Sequence, residues 1–257
     1  MYRFLLTRRW LGLLALSLVV AAACVLLGRW QLHRLEARHA KNHVITSNAT
    51  ARPVPPDALM STARGPGTDD QYARVRVSGH YDRAHQLLVR NRPFEGANGY
   101  YVLVPLVPAD GPALLVDRGW VSAGESATDV PRVPAAPTGQ VTVVARVRPS
   151  EPASTTGTPP RGQVTRIDVA SIRQDLPYDV YAGYGDLVRE QPAPRSAPAL
   201  LPPPETSEGP HLAYAVQWFL FACCALAGYV VLARREAADR RAALAGPTTT
   251  VAVRIPG

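Results

Sequence analysis

The chain has 257 residues, of which 47% are hydrophobic and 19% are charged, and its formal net charge is +8. These proportions exclude an intrinsically disordered chain. The arginines lie beside apolar runs and do not form a single basic face, which favours contact with a membrane surface over nucleic-acid binding. The three cysteines all lie in two apolar runs, so the region between those runs has no disulfide framework.

The first apolar run, from Trp10 to Leu27, is uncharged over about 18 residues, enough for one membrane crossing. Two tryptophans, Trp10 and Trp30, bracket it at about 30 Å, which is the spacing of interfacial anchors. A cleaved signal peptide has similar features, and AAAC at 21–24 resembles a loose lipoprotein box. Because apolar residues continue beyond that box, we favour an uncleaved anchor over 10–28, preceded by a cytoplasmic N-terminus at 1–9.

The region after this anchor predicts a short helix, a connector and then a β domain. WQLHRLEARHAKN at 30–42 continues the first helix, and a proline-containing connector completes the segment 29–70. Period-two alternation and turn residues then predict strands at 72–79, 86–91, 99–107, 113–121 and 141–148. PADG at 108–111 predicts a hairpin. We expect residues 71–190 to form a mainly antiparallel β domain of α+β type, a small barrel or sandwich, whose buried residues include Val75, Val77, Val102, Val104, Leu115, Val143 and Val147.

The rest of this domain has weaker signals. DVASIRQDL predicts a short helix with Asp168 as its N-cap and Pro177 as its stop. YDVYAGY and GDLVRE predict two further strands, and the proline-rich tract 191–210 predicts an extended tether.

The second apolar run predicts a transmembrane helix over 211–233. Arginines follow it at 234, 235, 240 and 241, which places the tail 234–257 in the cytoplasm by the positive-inside rule. Two spans then put both termini in the cytoplasm, with the central domain extracytoplasmic. The charges at Arg29, Arg34, Arg38 and Lys41 oppose this orientation, and the cleaner asymmetry of the second run decides it.

Few residues form a pattern with recognisable chemistry. GxSxG, P-loop, HExxH and CxxC motifs are absent from the sequence. Asp82 and Asp117 are candidates for pairing with histidines in space. His39 and His43 are four residues apart, which fits either a metal-binding pair or an exposed basic helix. The pair Cys223–Cys224 fits a metal site less well than it fits two small apolar residues in a helix.

His211 stands at the start of the second span. Helical periodicity places Tyr214, Ala215 and Trp218 on the same stripe. An imidazole beside aromatic surface at a membrane boundary suits a haem, whose iron takes a neutral imidazole as axial ligand. The alternative is an interfacial anchor in the headgroup belt.

Four stretches together give the chain a resemblance to the surfeit locus (SURF1) family of cytochrome c oxidase assembly factors. They are LGRWQLHRLEAR at 27–38, RNRPFEGANGYYVLVPL at 90–106, LLVDRGWV at 114–121 and HLAYAVQWFLFA at 211–222. The resemblance implies structural or partner-binding roles for the matching motif residues, which are Trp30, Gln31, Arg34, Gly99, Tyr100, Pro105, Asp117, Arg118, Gly119 and Trp120. From the residues themselves, the block around Arg118 is a structural corner first and a docking surface second, with Gly119 permitting close backbone approach.

The same resemblance implies a cell-membrane protein of the respiratory chain assembly machinery. Its function is then to assist haem A delivery or insertion into the catalytic subunit of haem-copper cytochrome c oxidase, as a haem chaperone without enzymatic turnover. Haem A is the implied transient cofactor, held by His211 as iron ligand with Tyr214 and Trp218 beside the ring. The implied partners are that catalytic subunit, haem A synthase and membrane lipids, with no nucleic acid. The alternatives are a membrane-anchored extracytoplasmic hydrolase and a structural anchor of a respiratory complex.

Overall fold

A computed structural model describes residues 3–124, 131–154, 157 and 159–245. The predicted N-terminal segment and C-terminal tail therefore lie partly outside the described residues. The chain divides into two compact units. A helical unit combines the chain up to Ala40 with the chain from Ser207, and a β unit comprises Lys41–Thr206.

Among its described residues, the helical unit contains two helices that are long and apolar enough to cross a membrane. Helix α1 comprises Arg8–Thr50 and helix α3 comprises His211–Ala245. The predicted continuation of α1 beyond its apolar part is confirmed, and the helix extends further than expected, to Thr50. Most large apolar side chains of both helices point outward, as expected for helices whose surroundings are lipid.

The two helices of this unit pack against each other through two small clusters. Ala21 and Cys24 of α1 are buried with Ala222 of α3. Nearer the N-terminus of α1, Trp10 is only 6% exposed and its ring lies edge-on to Tyr229, with centroids 5.8 Å apart. Of the two tryptophans that bracket the first run, Trp10 thus packs within the helix pair, whereas Trp30 is exposed.

In its described residues, the β unit has seven strands and one short helix, α2. The strands are β1 (Arg74–Tyr81), β2 (Leu87–Val89), β3 (Gly99–Val107), β4 (Ala113–Ser122), β5 (Val141–Pro149), β6 (Gln163–Val164) and β7 (Val180–Gln191). Helix α2 comprises Val169–Ile172 and is followed by a 3-10 turn. The predicted N-cap is confirmed, because Asp168 Oδ1 accepts the Ala170 N–H at 3.1 Å.

These strands form one mixed sheet in the order β1-β5-β7-β4-β3-β2-β6. Five of the seven strand pairings are antiparallel, as predicted, and the sheet departs from the predicted small barrel or sandwich in two respects. First, the β4–β7 and β2–β6 pairings are parallel. Second, the sheet curls until β1 meets β3 through only two residue pairs, His80 with Val107 and Tyr81 with Leu106, so it is not a closed barrel.

The parallel pairing arises because β7 inserts between β4 and β5. The sequence pattern predicts two strands in this segment, but it forms one strand of 12 residues. Gly183 and Gly185 lie inside the strand, where backbone and side chains of neighbours approach too closely for a Cβ. By contrast, the hairpin predicted at 108–111 is confirmed, since β3 and β4 pair antiparallel across it.

The sheet buries both of its faces, and all seven predicted core residues are buried. One face carries the larger core, which includes Val75, Val77, Val102, Val104, Val143 and Val147. The other face packs against α2, with Leu115, Ile167 and Ile172 in its core. Alternation along β4 therefore sends Leu114 and Val116 into one core and Leu115 into the other.

Candidate functional site

The start of α3 places His211 against α1 within the helical unit. His211 Nδ1 lies 2.8 Å from the Gln31 side-chain oxygen Oε1. Because a carbonyl oxygen only accepts hydrogen bonds, this contact places the imidazole proton on Nδ1. The lone pair of the neutral ring is then on Nε2. This is the arrangement of a metal-ligating histidine whose second nitrogen is oriented by a hydrogen-bond partner.

Small residues let the helices approach closely just below this contact. A Cβ on Gly28 would lie 2.9 Å from the Phe219 ring, so any larger residue would displace that ring. Ala215, one turn after His211, is buried. These small residues therefore lie at the contact between the two helices. The close packing fixes the position of His211 along the helix axis relative to Gln31.

The two aromatic residues predicted to flank a haem have different environments. Trp218 is partly buried against the Ala21, Cys24 and Ala222 cluster. Its ring lies edge-on to Phe221 at 5.9 Å. Tyr214 is 47% exposed, so it faces outward from the helix pair. The periodic stripe thus splits, with Ala215 and Trp218 turned toward α1 and Tyr214 left accessible.

Two other polar residues of the helical unit, Arg34 and His39, have partners of their own. Arg34 lies over the exposed Trp30 ring at 5.9 Å, one turn along the same helix. His39 Nε2 is 3.0 Å from Glu208 Oε1. His43 belongs to the β unit, where it is exposed. Within the described ranges, no three His, Cys, Asp or Glu side chains are placed to hold a metal ion.

In the β unit, the family-like residues of β3 and β4 form one packed corner. The Trp120 indole covers Gly99, where a Cβ would lie 2.4 Å from the ring. Trp120 Nε1 donates to the Arg92 carbonyl at 2.7 Å, and its ring packs on Phe94 at 5.4 Å. Tyr100 is buried in the larger core, and Pro105 pairs with Leu115 and accepts the Asp82 N–H through its carbonyl.

Arg118 is completely buried beneath this corner. Its Nη2 donates to Glu190 Oε1 at 3.0 Å, and its Nη1 donates to the Pro134 carbonyl at 3.2 Å. The guanidinium lies 5.2 Å from the centre of the Tyr81 ring. Burial and the neighbouring Glu190 carboxylate raise the pKa of Tyr81. No local sequence pattern points to Glu190 as the partner, because the two residues come together only through the β4–β7 pairing.

Asp117 and Gly119 occupy the same stretch of β4 on the opposite face from Arg118. Asp117 is 1% exposed, and its Oδ1 accepts the Gly119 N–H at 3.0 Å. Burial, reinforced by the Asp186 carboxylate, holds the pKa of Asp117 well above its usual range. Gly119 has a φ of 128°, and its Cα faces the Ala199 carbonyl so closely that a Cβ would lie 2.3 Å from the oxygen.

That close contact shows what the proline-rich tract does after β7. Ala199 and Trp120 exchange two backbone hydrogen bonds of 2.7 and 2.9 Å. Arg146 Nη2 donates to the Leu201 carbonyl at 2.8 Å. The part of the tract that was predicted as a tether is thus held on the sheet by these bonds, and Gly119 is the residue that permits the approach.

Asp82 was a candidate for pairing with a histidine, and it does so with His85. Its Oδ2 is 2.6 Å from His85 Nδ1 and accepts the Tyr178 O–H at 2.6 Å, while its Oδ1 caps a 3-10 turn. Partial burial acts in the other direction, but the bonds from Tyr178 and His85 lower the pKa of Asp82. Asp117 was the other candidate, and its neighbours are Asp186 and arginines.

The chain has two helices able to span a membrane, and a mixed β domain lies between them in the sequence. A histidine of one helix lies against a glutamine of the other. These features define a class of membrane-anchored proteins with one inserted β domain. The model of the SURF1 family matches residues 18–223, which include most of α1, the whole β unit and the start of α3. The chain belongs to the SURF1 family.

Relatives extend over a similar range. SURF1-like proteins of Mycobacterium bovis and Mycobacterium tuberculosis are each 34% identical to this chain over 244 residues, covering 91% of this chain and 88% of theirs. The cytochrome oxidase assembly protein SHY1 of Saccharomyces cerevisiae is 29% identical over 104 residues, which is 40% of this chain and 26% of the yeast protein.

Proposed function

We propose that this protein is an assembly factor for haem-copper cytochrome c oxidase that helps deliver or insert haem A into the catalytic subunit. Membership of the SURF1 family and the similarity to a yeast protein named for cytochrome oxidase assembly support the assembly role. The contact between His211 and Gln31 supports the haem role. The protein acts by binding and transfer, without catalytic turnover.

The residues around His211 fit an axial ligand to haem. Gln31 Oε1 accepts from Nδ1 and leaves the Nε2 lone pair for iron, which takes a neutral imidazole. Tyr214, three residues further along α3, is exposed and offers a flat ring to a macrocycle. Gly209 leaves space beside the ring, because a Cβ added at this position would lie 3.5 Å from the imidazole. When bound, haem would supply the iron that is being carried, and the chain's own residues orient the ligand nitrogen.

A purified variant series tests this role. We expect His211→Ala to lose the visible absorption of bound haem and to lower the haem A content of the oxidase, with the protein still present in the membrane. His39→Ala and His43→Ala are the matched controls, since each removes an imidazole from α1 and neither is expected to change haem content. Full haem binding by the His211 variant would instead make His211 an interfacial anchor.

The orientation proposed for this function puts both termini in the cytoplasm. Arginines 234, 235, 240 and 241 continue α3 beyond its apolar part, which favours a cytoplasmic end for that helix. A reporter that is active only in the cytoplasm, fused after the last residue, should be active. An external C-terminus would place His211 on the cytoplasmic side and exclude a haem role at the outer membrane boundary.

The proposed partners follow from the function, and they are the oxidase catalytic subunit, haem A synthase and membrane lipids. The hydrolase alternative has no comparable support. Its best candidate, the Asp82–His85 pair, has a structural role because Asp82 caps the turn that carries His85.

A further inference from the structure

One end of the helical unit carries exposed arginines from both of its helices. The first group lies in the 3-10 turn Arg3–Leu6 and at the start of α1, and the second group lies in the part of α3 beyond its apolar run. We call this region the basic end, and its seven exposed arginines are Arg3, Arg8, Arg9, Arg234, Arg235, Arg240 and Arg241.

Aromatic packing brings the two groups of arginines together. Phe4 is buried, and its ring lies edge-on to the Trp10 ring with centroids 5.2 Å apart. Trp10 in turn packs on Tyr229 of α3, in a cluster that also buries Ala233 and Ala237. The arginines next to this cluster in the sequence therefore lie at the same end of the helix pair.

Two of the guanidinium groups are held in place by this packing. The Arg240 guanidinium lies 4.7 Å from the centre of the Phe4 ring, and its Nε donates to Glu236 Oε1 at 2.8 Å. Arg241 Nε donates to the Ala237 carbonyl at 3.2 Å. Each guanidinium has five N–H donors, so both groups keep donors for a ligand.

The charge of the basic end is strongly positive. Among its described residues, Glu236 and Asp239 are the only acids, so the seven arginines leave an excess of five positive charges. Arg9 and Arg29 are 20 helical residues apart, which is about 30 Å and matches the thickness of a hydrocarbon core. At the far end of the unit the excess is only one, from Arg29, Arg34 and Arg38 against Glu36 and Glu208.

The surface next to the basic end is apolar. Leu11 of α1 and Val231 and Leu232 of α3 are exposed within one turn of an arginine. Trp10 and Tyr229 lie between the arginines and the apolar runs, where aromatic residues mark the interface of a bilayer. A soluble anion would match the arginines but would leave this apolar surface without contact. The matching ligand has an anionic head and apolar chains, as an anionic phospholipid does.

We propose that the basic end binds an anionic phospholipid, whose phosphate is held by arginines of both helices and whose acyl chains lie on the adjoining apolar surface. Guanidinium groups bind phosphate through paired N–H donors, which adds a defined geometry to the attraction between charges. The inference rests on the membrane placement of the two helices in the proposed function, and it does not depend on haem binding at His211.

The test uses the full chain in detergent micelles, with dioleoylphosphatidylglycerol as the probe and native mass spectrometry as the measurement of bound lipid. We expect this lipid to bind about tenfold more tightly than dioleoylphosphatidylcholine, whose headgroup has no net charge. Inorganic phosphate at the same concentration should not displace the lipid, because it makes no contact with the apolar surface. His211→Ala should keep the full preference, so failure of the haem role would leave this result unchanged.

Three double variants with the same change in net charge locate the site. Arg8→Gln/Arg9→Gln and Arg234→Gln/Arg235→Gln each remove two charges from the basic end, and each should weaken phosphatidylglycerol binding about tenfold. The matched control is Arg29→Gln/Arg38→Gln, which removes two exposed arginines from the far end of the unit and should leave the affinity unchanged.

Equal affinities for the two lipids would overturn the proposal, as would displacement by inorganic phosphate. A control variant that loses as much binding as the other two would also overturn it, because only the net charge of the chain would then matter. Loss of binding in only one of the two basic-end variants would overturn the assignment of the phosphate to both helices. If a variant does not fold, the comparison of the two lipids on the unaltered chain decides the question.

Discussion

Arg118→Leu should be among the most damaging single changes to the β unit, because it leaves a charge buried without its partner. Arg118 is completely buried and Glu190 is 7% exposed. Breaking one side of such a pair typically costs about 3–5 kcal/mol, whereas replacing both sides by apolar residues is often close to neutral. With a urea dependence of about 2 kcal/mol per molar, this loss lowers the unfolding midpoint by roughly 1.5–2.5 M.

Pulse proteolysis in urea, applied to the full chain in detergent, measures that midpoint. The double variant Arg118→Leu/Glu190→Leu should recover most of the loss, since neither charge remains buried. Arg76→Leu, at an exposed site on β1, should change the free energy of unfolding by no more than about 0.5 kcal/mol. A double variant as unstable as the single one would refute the reasoning, because the loss would then come from packing and not from the unpaired carboxylate.

Three further changes are informative. Gly119→Ala should cost the β unit several kcal/mol more than Gly111→Ala by the same assay, because both glycines have positive φ but only the first faces a carbonyl oxygen, and equal losses would remove the close approach as the cause. Asp117→Asn should stabilise the protein by an amount that grows as the pH rises above about 4, because the wild-type carboxyl ionises more readily in the unfolded chain than in the folded one. A difference in melting temperature that does not change with pH would contradict the raised pKa. Gly28→Leu should displace the Phe219 ring and separate the helices. Cysteines introduced at the helix contact should then form a disulfide cross-link in lower yield. An unchanged yield would show that the ring moves without cost.

Features that depend on neighbouring residues were predictable from the sequence. Strand β3 begins and ends at the predicted residues, Gly99 and Val107, because alternation and the following turn both mark it. The N-cap at Asp168 required only the residues next to it. The apolar runs predicted two helices long enough to span a membrane, because hydropathy over a window of about 20 residues is a local property.

The candidate site was predicted only in part. Periodicity placed His211 and Trp218 on one stripe, and the structure turns both toward α1 or its contact cluster. The structure does not bring Tyr214 to the same side. The predicted stripe of side chains is about 100° wide around the axis of α3, and a single neighbouring helix covers a narrower part of that surface. The partner of the imidazole, Gln31, was noted only as part of a family-like motif, since no local pattern links residues 180 positions apart.

The sheet order and the buried charges were decided by tertiary structure alone. Strand β7 inserts between β4 and β5, which aligns Asp117, Asp186 and Arg146 in one row and pairs Arg118 with Glu190. Pairing two parallel strands closes a long loop of chain, which costs entropy. The pairing is stabilised by burial of both faces of the sheet, and the sequence near any one strand does not show which distant residues provide that burial. The sequence thus determined which segments are helices and strands, and the packing of distant strands determined which polar residues meet.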